Sequence, residues 1–158
     1  MKTLLAVLVV VLAILATIMF TRNLAGKSAL PFLANPHTAS LHVANQSISL
    51  EVANNQANQQ KGLSDRDTLA SNAGMLFTFT KPDYYAFWMK NMKFPLDFLF
   101  LNNKRVVTIY DHVPYPLSVT ADLPEYKPEQ PADMVIELPA GKVQALGIKK
   151  GDILNLSL

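Results

Sequence analysis

Gly74-Met75-Leu76-Phe77-Thr78-Phe79, then Tyr84-Tyr85-Ala86-Phe87-Trp88-Met89-Lys90-Asn91, then Pro95-Leu96-Asp97 is the stretch of this chain that decides its fold. Met75 to Phe79 is an apolar run of strand length opened by a glycine, and Lys81-Pro82-Asp83 supplies turn chemistry after it. From Tyr84 to Lys90 the residues alternate, with Tyr85, Phe87 and Met89 on one side and Tyr84, Ala86, Trp88 and Lys90 on the other, which predicts a second strand. Beyond Pro95, Leu96, Phe98 and Phe100 oppose Asp97, Leu99 and Leu101, and Asn102-Asn103 turns the chain into another β-rich run, Arg105 to Val113. The expectation here is a meander of strands.

The same pattern extends outward. Leu41 and Val43, a turn at Asn45-Gln46, and Ile48, Leu50 and Val52 predict a hairpin with one buried face. Residues 54 to 61 lack strand formers, and Asn54 or Asn55 is placed to cap a short helix ending near Gly62, with a second helical turn expected from Ser64. Five of the ten prolines fall between Pro114 and Pro131, which marks a long irregular loop. Met134 to Leu138 reads as a strand, Ala140 to Leu146 as a short helix, and Ile153 to Leu158 as the strand that closes the sheet. Seven or eight short strands with one or two short helices predict a mainly β domain, an antiparallel β-sandwich or barrel.

The N-terminus is of another kind. Leu4 to Phe20 is apolar apart from Thr17; extended to about 19 residues, it makes ~28 Å of helix against a hydrocarbon core of ~30 Å. It is longer than a signal-peptide core and runs directly into Phe20-Thr21-Arg22-Asn23 instead of a small-x-small site, so the expectation is a transmembrane anchor over residues 1–22, with a cleaved signal as the alternative. Residues 23–39, broken by Gly26, Pro31 and Pro36, read as a linker, and 40–158 as a single β domain. The short N-terminal flank favours a domain outside the cytoplasm, in the cell envelope, or secreted if the segment is cleaved.

Charge and composition exclude several functions. Of the 14 basic residues, Lys2, Arg22 and Lys27 flank the apolar run, which leaves 11 against 12 acidic residues in the rest of the chain. A near-neutral domain lacks the basic face that nucleic acid requires, so no nucleic-acid partner is expected. The absence of cysteine excludes disulfides, thiolate zinc sites and thiol catalysis. His37, His42 and His112 are the only imidazoles, and Asp111-His112 has no His-x-His or His-Glu-x-x-His companion, so neither metal nor cofactor is expected. No nucleophile elbow or phosphate loop occurs.

Candidate functional residues come from the opening stretch. Polar groups carried into an apolar sheet must be paired or be used. Trp88 and Lys90 share a predicted face, Asp97 lies a tight connection away within reach of Lys90, and Asn91 precedes the turn. Arg66, in a polar segment, is suited to clamp a carboxylate or phosphate. The alternative for each is structural: Trp88 as core, Lys90 and Asp97 as a satisfied ion pair, Asn91 as a turn former, Arg66 as solvated surface.

Val52-Ala53, Gly62-Leu63 with Arg66 following, Leu69, Gly74-Met75-Leu76-Phe77, Phe87-Trp88-Met89-Lys90-Asn91, Pro95-Leu96-Asp97, Val135-Ile136-Glu137-Leu138-Pro139-Ala140-Gly141 and Gly151-Asp152 follow one another in order along the chain. By these motifs the chain, from about Leu50 onward, resembles a widespread prokaryotic family known only as domain of unknown function 192. The resemblance implies a small β-sandwich of jelly-roll-like topology behind a signal or anchor segment, and it implies no established activity. The chain departs from the family in having Ser64 where Met often follows Gly-Leu, and Asn58 and Gln59 where a charged pair is common. Three readings of function follow. The first is a tethered extracytoplasmic binding or accessory domain, holding a small polar or glycan ligand of the cell envelope with Arg66, Trp88, Lys90, Asn91 and Asp97. The second is an enzyme using Lys90 with Asp97 or His112 as acid and base. The third is a structural module that meets a protein partner through its proline-rich loop.

Overall fold

The computed structural model describes residues 38–117 and 123–158. Seven strands form one sheet in the order β5-β4-β6-β3-β2-β1-β7. In chain order they are β1 (Thr38–Val43), β2 (Gln46–Ala53), β3 (Ala73–Asp83), β4 (Leu96–Asn102), β5 (Arg105–Val113), β6 (Ala132–Pro139) and β7 (Asn155–Ser157), with helices α1 (Gln56–Lys61) and α2 (Lys142–Leu146). The predicted hairpin is present, Leu41 pairing with Ile48 and Val43 with Gln46. Asn55 caps α1 by accepting from the Asn58 amide at 3.0 Å, and Gly62 ends that helix at φ 50°. The turn from β4 to β5 uses Asn103 and Lys104, both at positive φ, which suits a two-residue hairpin connection.

The sheet is curled. The segment just before β7, which pairs with β1 at one edge, also bonds β5 at the other: Gly151 N–H donates to the Val106 carbonyl, Val106 N–H to that of Asp152, and Leu154 N–H to that of Lys104. These bonds join the two edges at one end and leave a half-closed barrel, so of the expected sandwich or barrel the structure takes the barrel form, in a single sheet. Closing an edge this way removes unpaired backbone groups that another chain could bind.

Three expectations about the strands are corrected. The pairing is not wholly antiparallel, because β2 and β3 run parallel, with Leu50 beside Gly74 and Ala53 beside Phe77. The connection between them contains α1 and is long enough to return the chain to the starting end of the sheet, which a parallel pair requires. Nor is the middle a meander, since β6 lies between β3 and β4 and pairs with both. Finally, Tyr84 to Lys90 is not a strand; only Phe87 forms an isolated bridge, with Tyr126. Its burial does alternate as the sequence predicts, with Tyr85, Phe87 and Met89 more covered than Tyr84, Ala86, Trp88 and Lys90. The period is real, but the segment lies over a face of the sheet instead of within it. The turn expected from Ser64 is irregular, not helical.

Two hydrophobic clusters occupy the two faces. Leu41, Ile48, Leu50, Leu76, Leu99, Ile136 and Leu138 belong to one, and Met75, Phe77, Phe98, Phe100 and Val135 to the other. β4 is buried on both sides from Leu96 to Leu101, as expected for a strand covered above and below. Phe87 holds the covering segment down. Its ring meets Phe77 edge-on at 4.9 Å, Phe100 at 5.6 Å and Phe98 at 6.0 Å; each such pair contributes roughly 0.5–1.5 kcal/mol beyond buried area. Among the described residues no helix is long and apolar enough to cross a membrane. The expected anchor and nearly all of the expected linker lie outside them.

Candidate functional site

Strand register puts two acids in one row. Glu51 of β2 stands beside Met75 of β3, Met75 beside Glu137 of β6, and Glu137 beside Phe98 of β4. All four share the face that carries Phe77, Phe100 and Val135. Arg66, leaving the loop after α1, reaches this face and places both terminal nitrogens on Glu51, at 2.6 and 2.7 Å. This bidentate fork holds the Glu51 carboxyl below its usual range and raises the guanidinium above its own, although partial burial opposes both shifts.

Glu137 has no such partner among the described residues. It is only 6% exposed, and its Oε2 is buried without a hydrogen bond. Burial pushes its pKa up to about 8, with the Arg66 charge acting the other way. At neutral pH this side chain is therefore largely the uncharged acid, which can donate one hydrogen bond as well as accept.

Above Glu137 lies a cleft of about 210 Å³. Phe77 and Phe79 come to it from β3, Tyr85 to Trp88 from the covering segment, and Gln59 to Ser64 from α1 and its exit. Phe79 and Tyr85 stack with centroids 3.6 Å apart. Gly62 lies beside Phe77, where a Cβ would make ordinary contact with the ring, so it is the φ of 50° and not lack of space that suits glycine there. Most other polar groups of the wall are engaged. The Gln59 amide donates to the Thr78 carbonyl at 2.8 Å, Ser64 Oγ to the Lys90 carbonyl at 3.0 Å, and Lys61 pairs with Asp65. The orphan carboxyl is left as the polar anchor of an aromatic hollow.

The five residues expected from sequence are dispersed. Trp88 lines the cleft and is 53% exposed, so it is rim and not core. Arg66 acts on the same face, through Glu51. Lys90 is exposed and has no ion pair among the described residues; its contribution is the carbonyl that receives Ser64. Asn91 holds φ at 57°, and its carbonyl accepts from the Asp65 amide at 2.9 Å, which fits a turn former. Asp97 is on the opposite face and wholly buried, and no hydrogen bond or ion pair joins it to Lys90 among the described residues.

Asp97 instead ties three segments together. Oδ1 accepts from the amides of His112 at 2.8 Å and Gly141 at 2.9 Å, and Oδ2 from Val143 at 2.9 Å. A bulge makes this geometry. Leu96 pairs with Val113 and Phe98 with Tyr110, so Asp111 and His112 together oppose Asp97, and His112 takes φ 54°. Burial raises the Asp97 pKa against those amides, and a hydrogen bond with Asp111 adds to the rise. Burial opposes the net lowering of Asp111, which comes from its hydrogen bonds with His112 and Asp97. Asp97, Asp111 and His112 each place one ligand atom within 4.8 Å of the others, a grouping in reach of a cation, with three backbone donors already on Asp97.

Glu137 was missed as a site residue. Its signal was available: a lone acid within Met134-Val135-Ile136-Glu137-Leu138, in phase with Val135 on a face that should be apolar.

Two crystal structures resemble this one. The chain is 28% identical to a protein of unknown function from Novosphingobium aromaticivorans DSM 12444, with TM-score 0.64, covering 77% of this chain and 84% of that one. It is 30% identical to a protein of Sinorhizobium meliloti 1021 described as a candidate transcription regulator, with TM-score 0.63, covering 75% and 91%. No curated protein matches. Residues 37–156 match the family model DUF192, Uncharacterized ACR, and the chain belongs to that family.

Proposed function

We propose that this chain is a membrane-tethered, extracytoplasmic binding domain that takes a small polar ligand of the cell envelope into the cleft above Glu137. The observation that carries this reading is the buried, unpartnered Oε2 at the base of an aromatic-walled hollow. An unmatched buried oxygen costs roughly 1–3 kcal/mol, and a ligand donor would recover that energy. Tethering is supported by the apolar run Leu4 to Phe20 and by the basic residues beside it. In this reading Trp88 is the aromatic contact at the rim and Arg66 an organiser that keeps Glu51 out of the ligand's way. Lys90 and Asn91 border the site through their backbone, and Asp97 keeps the scaffold in shape from the far face.

Trp88 is the chain's single tryptophan, so its emission reports on the cleft alone. Titration with small envelope-derived polar compounds should shift or quench that emission in the native protein and not in Glu137→Leu. A panel that leaves Trp88 unperturbed overturns the reading. Membrane association is tested separately, by protease accessibility of the domain in intact cells.

A further inference from the structure

We propose that the group received by the cleft is a cation, a protonated amine or quaternary ammonium, seated among the aromatic rings with the Glu137 carboxylate as its counter-ion. This narrows the binding reading above and rests on it. The argument begins with what the cleft offers a ligand. A sugar or other polyol needs several free donors and acceptors. Here the Gln59 NH2 is spent on carbonyl oxygens of Ala53 and Thr78, Ser64 on that of Lys90 and the Tyr85 hydroxyl on that of Lys81, which leaves the exposed Gln60 amide and the Trp88 indole as the wall's neutral side-chain donors, too few for a polyol. An anion would have to approach a carboxyl group across aromatic rings whose faces are negative. An ammonium group meets both features favourably, since ring faces attract cations and a carboxylate neutralises them.

The charges around Glu137 are consistent with this. From the side of β2, Arg66 faces it, but both oxygens of Glu51 already match that guanidinium. At the exit of α1, Lys61 is held by Asp65. β3 and β4 present Met75 and Phe98 in the same row, and Tyr85 of the covering segment is the remaining titratable group of the wall. Thus the acid lies in apolar surroundings with no cation bonded to it among the described residues. Burial keeps it protonated up to about pH 8. Arrival of a fixed positive charge favours the carboxylate, and the proton leaves to solvent. Binding is then coupled to release of one proton.

The test uses the full-length chain in detergent micelles with four probes: choline, its uncharged isostere 3,3-dimethyl-1-butanol, glucose and acetate. Choline is expected to quench Trp88 and to bind at least tenfold tighter than the isostere. Below pH 8 its affinity should rise up to tenfold per pH unit and then level off. Calorimetry in two buffers of different ionisation heat should find up to one proton released per choline. Glu137→Gln should abolish both the preference and the proton release, and Trp88→Ala, read by calorimetry, should weaken choline binding. Equal binding of choline and the isostere, or binding of glucose or acetate in preference to choline, overturns the cation inference and leaves the cleft reading standing. If none of the four probes is bound and polar envelope compounds are equally without effect on Trp88, the cleft reading falls with it.

Discussion

Glu51 and Glu137 stand in one cross-strand row with Met75 between them, and only Glu51 receives Arg66. Two acids two strands apart are thereby given opposite chemistry. The forked ion pair keeps the first ionised and fixed, while burial keeps the second protonated and unmatched. Separating the ionisation of two like groups by environment is how a protein assigns them different tasks.

The Glu137 acid makes stability depend on pH in an unusual direction. In the unfolded chain the group ionises near 4.5, whereas the folded chain holds its proton to about 8. Between those values the folded state binds more protons, so stability falls as pH rises and levels off above the folded pKa. The loss should be on the order of 5 kcal/mol. Urea unfolding at pH 5, 6.5 and 8 would measure it, and Glu137→Gln should flatten the profile and be the more stable protein at pH 8.

Arg66→Met removes the fork. Because the pair is about one-third exposed, with side chains at 35% and 36%, solvent screening limits the expected cost to about 1 kcal/mol. The same variant withdraws the positive charge that lowers the Glu137 pKa, so the midpoint of the pH profile should move upward. A profile unchanged in position would show that Arg66 and Glu137 do not interact.

Asp97→Ala should be among the most damaging substitutions in the domain. It strands three amides, that of Val143 buried and those of His112 and Gly141 part-buried, at a cost of roughly 3 kcal/mol. Asp97→Asn keeps an acceptor oxygen for two of them and should lose about half as much. Thermal unfolding of both variants checks the order.

Gly74→Ala tests why the second residue of β3 is glycine. A Cβ there would lie 2.5 Å from the Glu137 carbonyl oxygen and 2.8 and 2.9 Å from methyls of Leu138 and Leu50. The backbone oxygen cannot swing aside, so β3 and β6 must separate, with an expected destabilisation of about 3 kcal/mol. Since β6 carries Glu137, ligand binding should weaken as well.

Trp88→Ala, by contrast, should leave the fold within about 0.5–1 kcal/mol of the native chain, because its ring is half exposed. Ligand binding in the cleft should nonetheless be lost or much reduced. Equal losses of stability and binding would return Trp88 to a packing role.

Local pattern determined the elements. Alternation and turn residues located the β1–β2 hairpin, β4, β5 and β6, Asn55 and Gly62 bracketed α1, and the family was readable from motifs in order along the chain. These are properties of neighbouring residues, and period and capping are written locally. Tertiary structure decided the rest. Only pairing order could show that β6 separates β3 from β4, that β2 and β3 run parallel, and that the alternating segment around Phe87 covers the sheet instead of joining it. The site followed from the same non-local facts. Asp97 and Lys90 are close in sequence, but a strand alternates faces, and the bulge opposite Asp97 gave its oxygens to backbone amides. Glu51, Arg66 and Glu137 are far apart in the chain and meet only because register aligns three strands, which no local sequence pattern encodes.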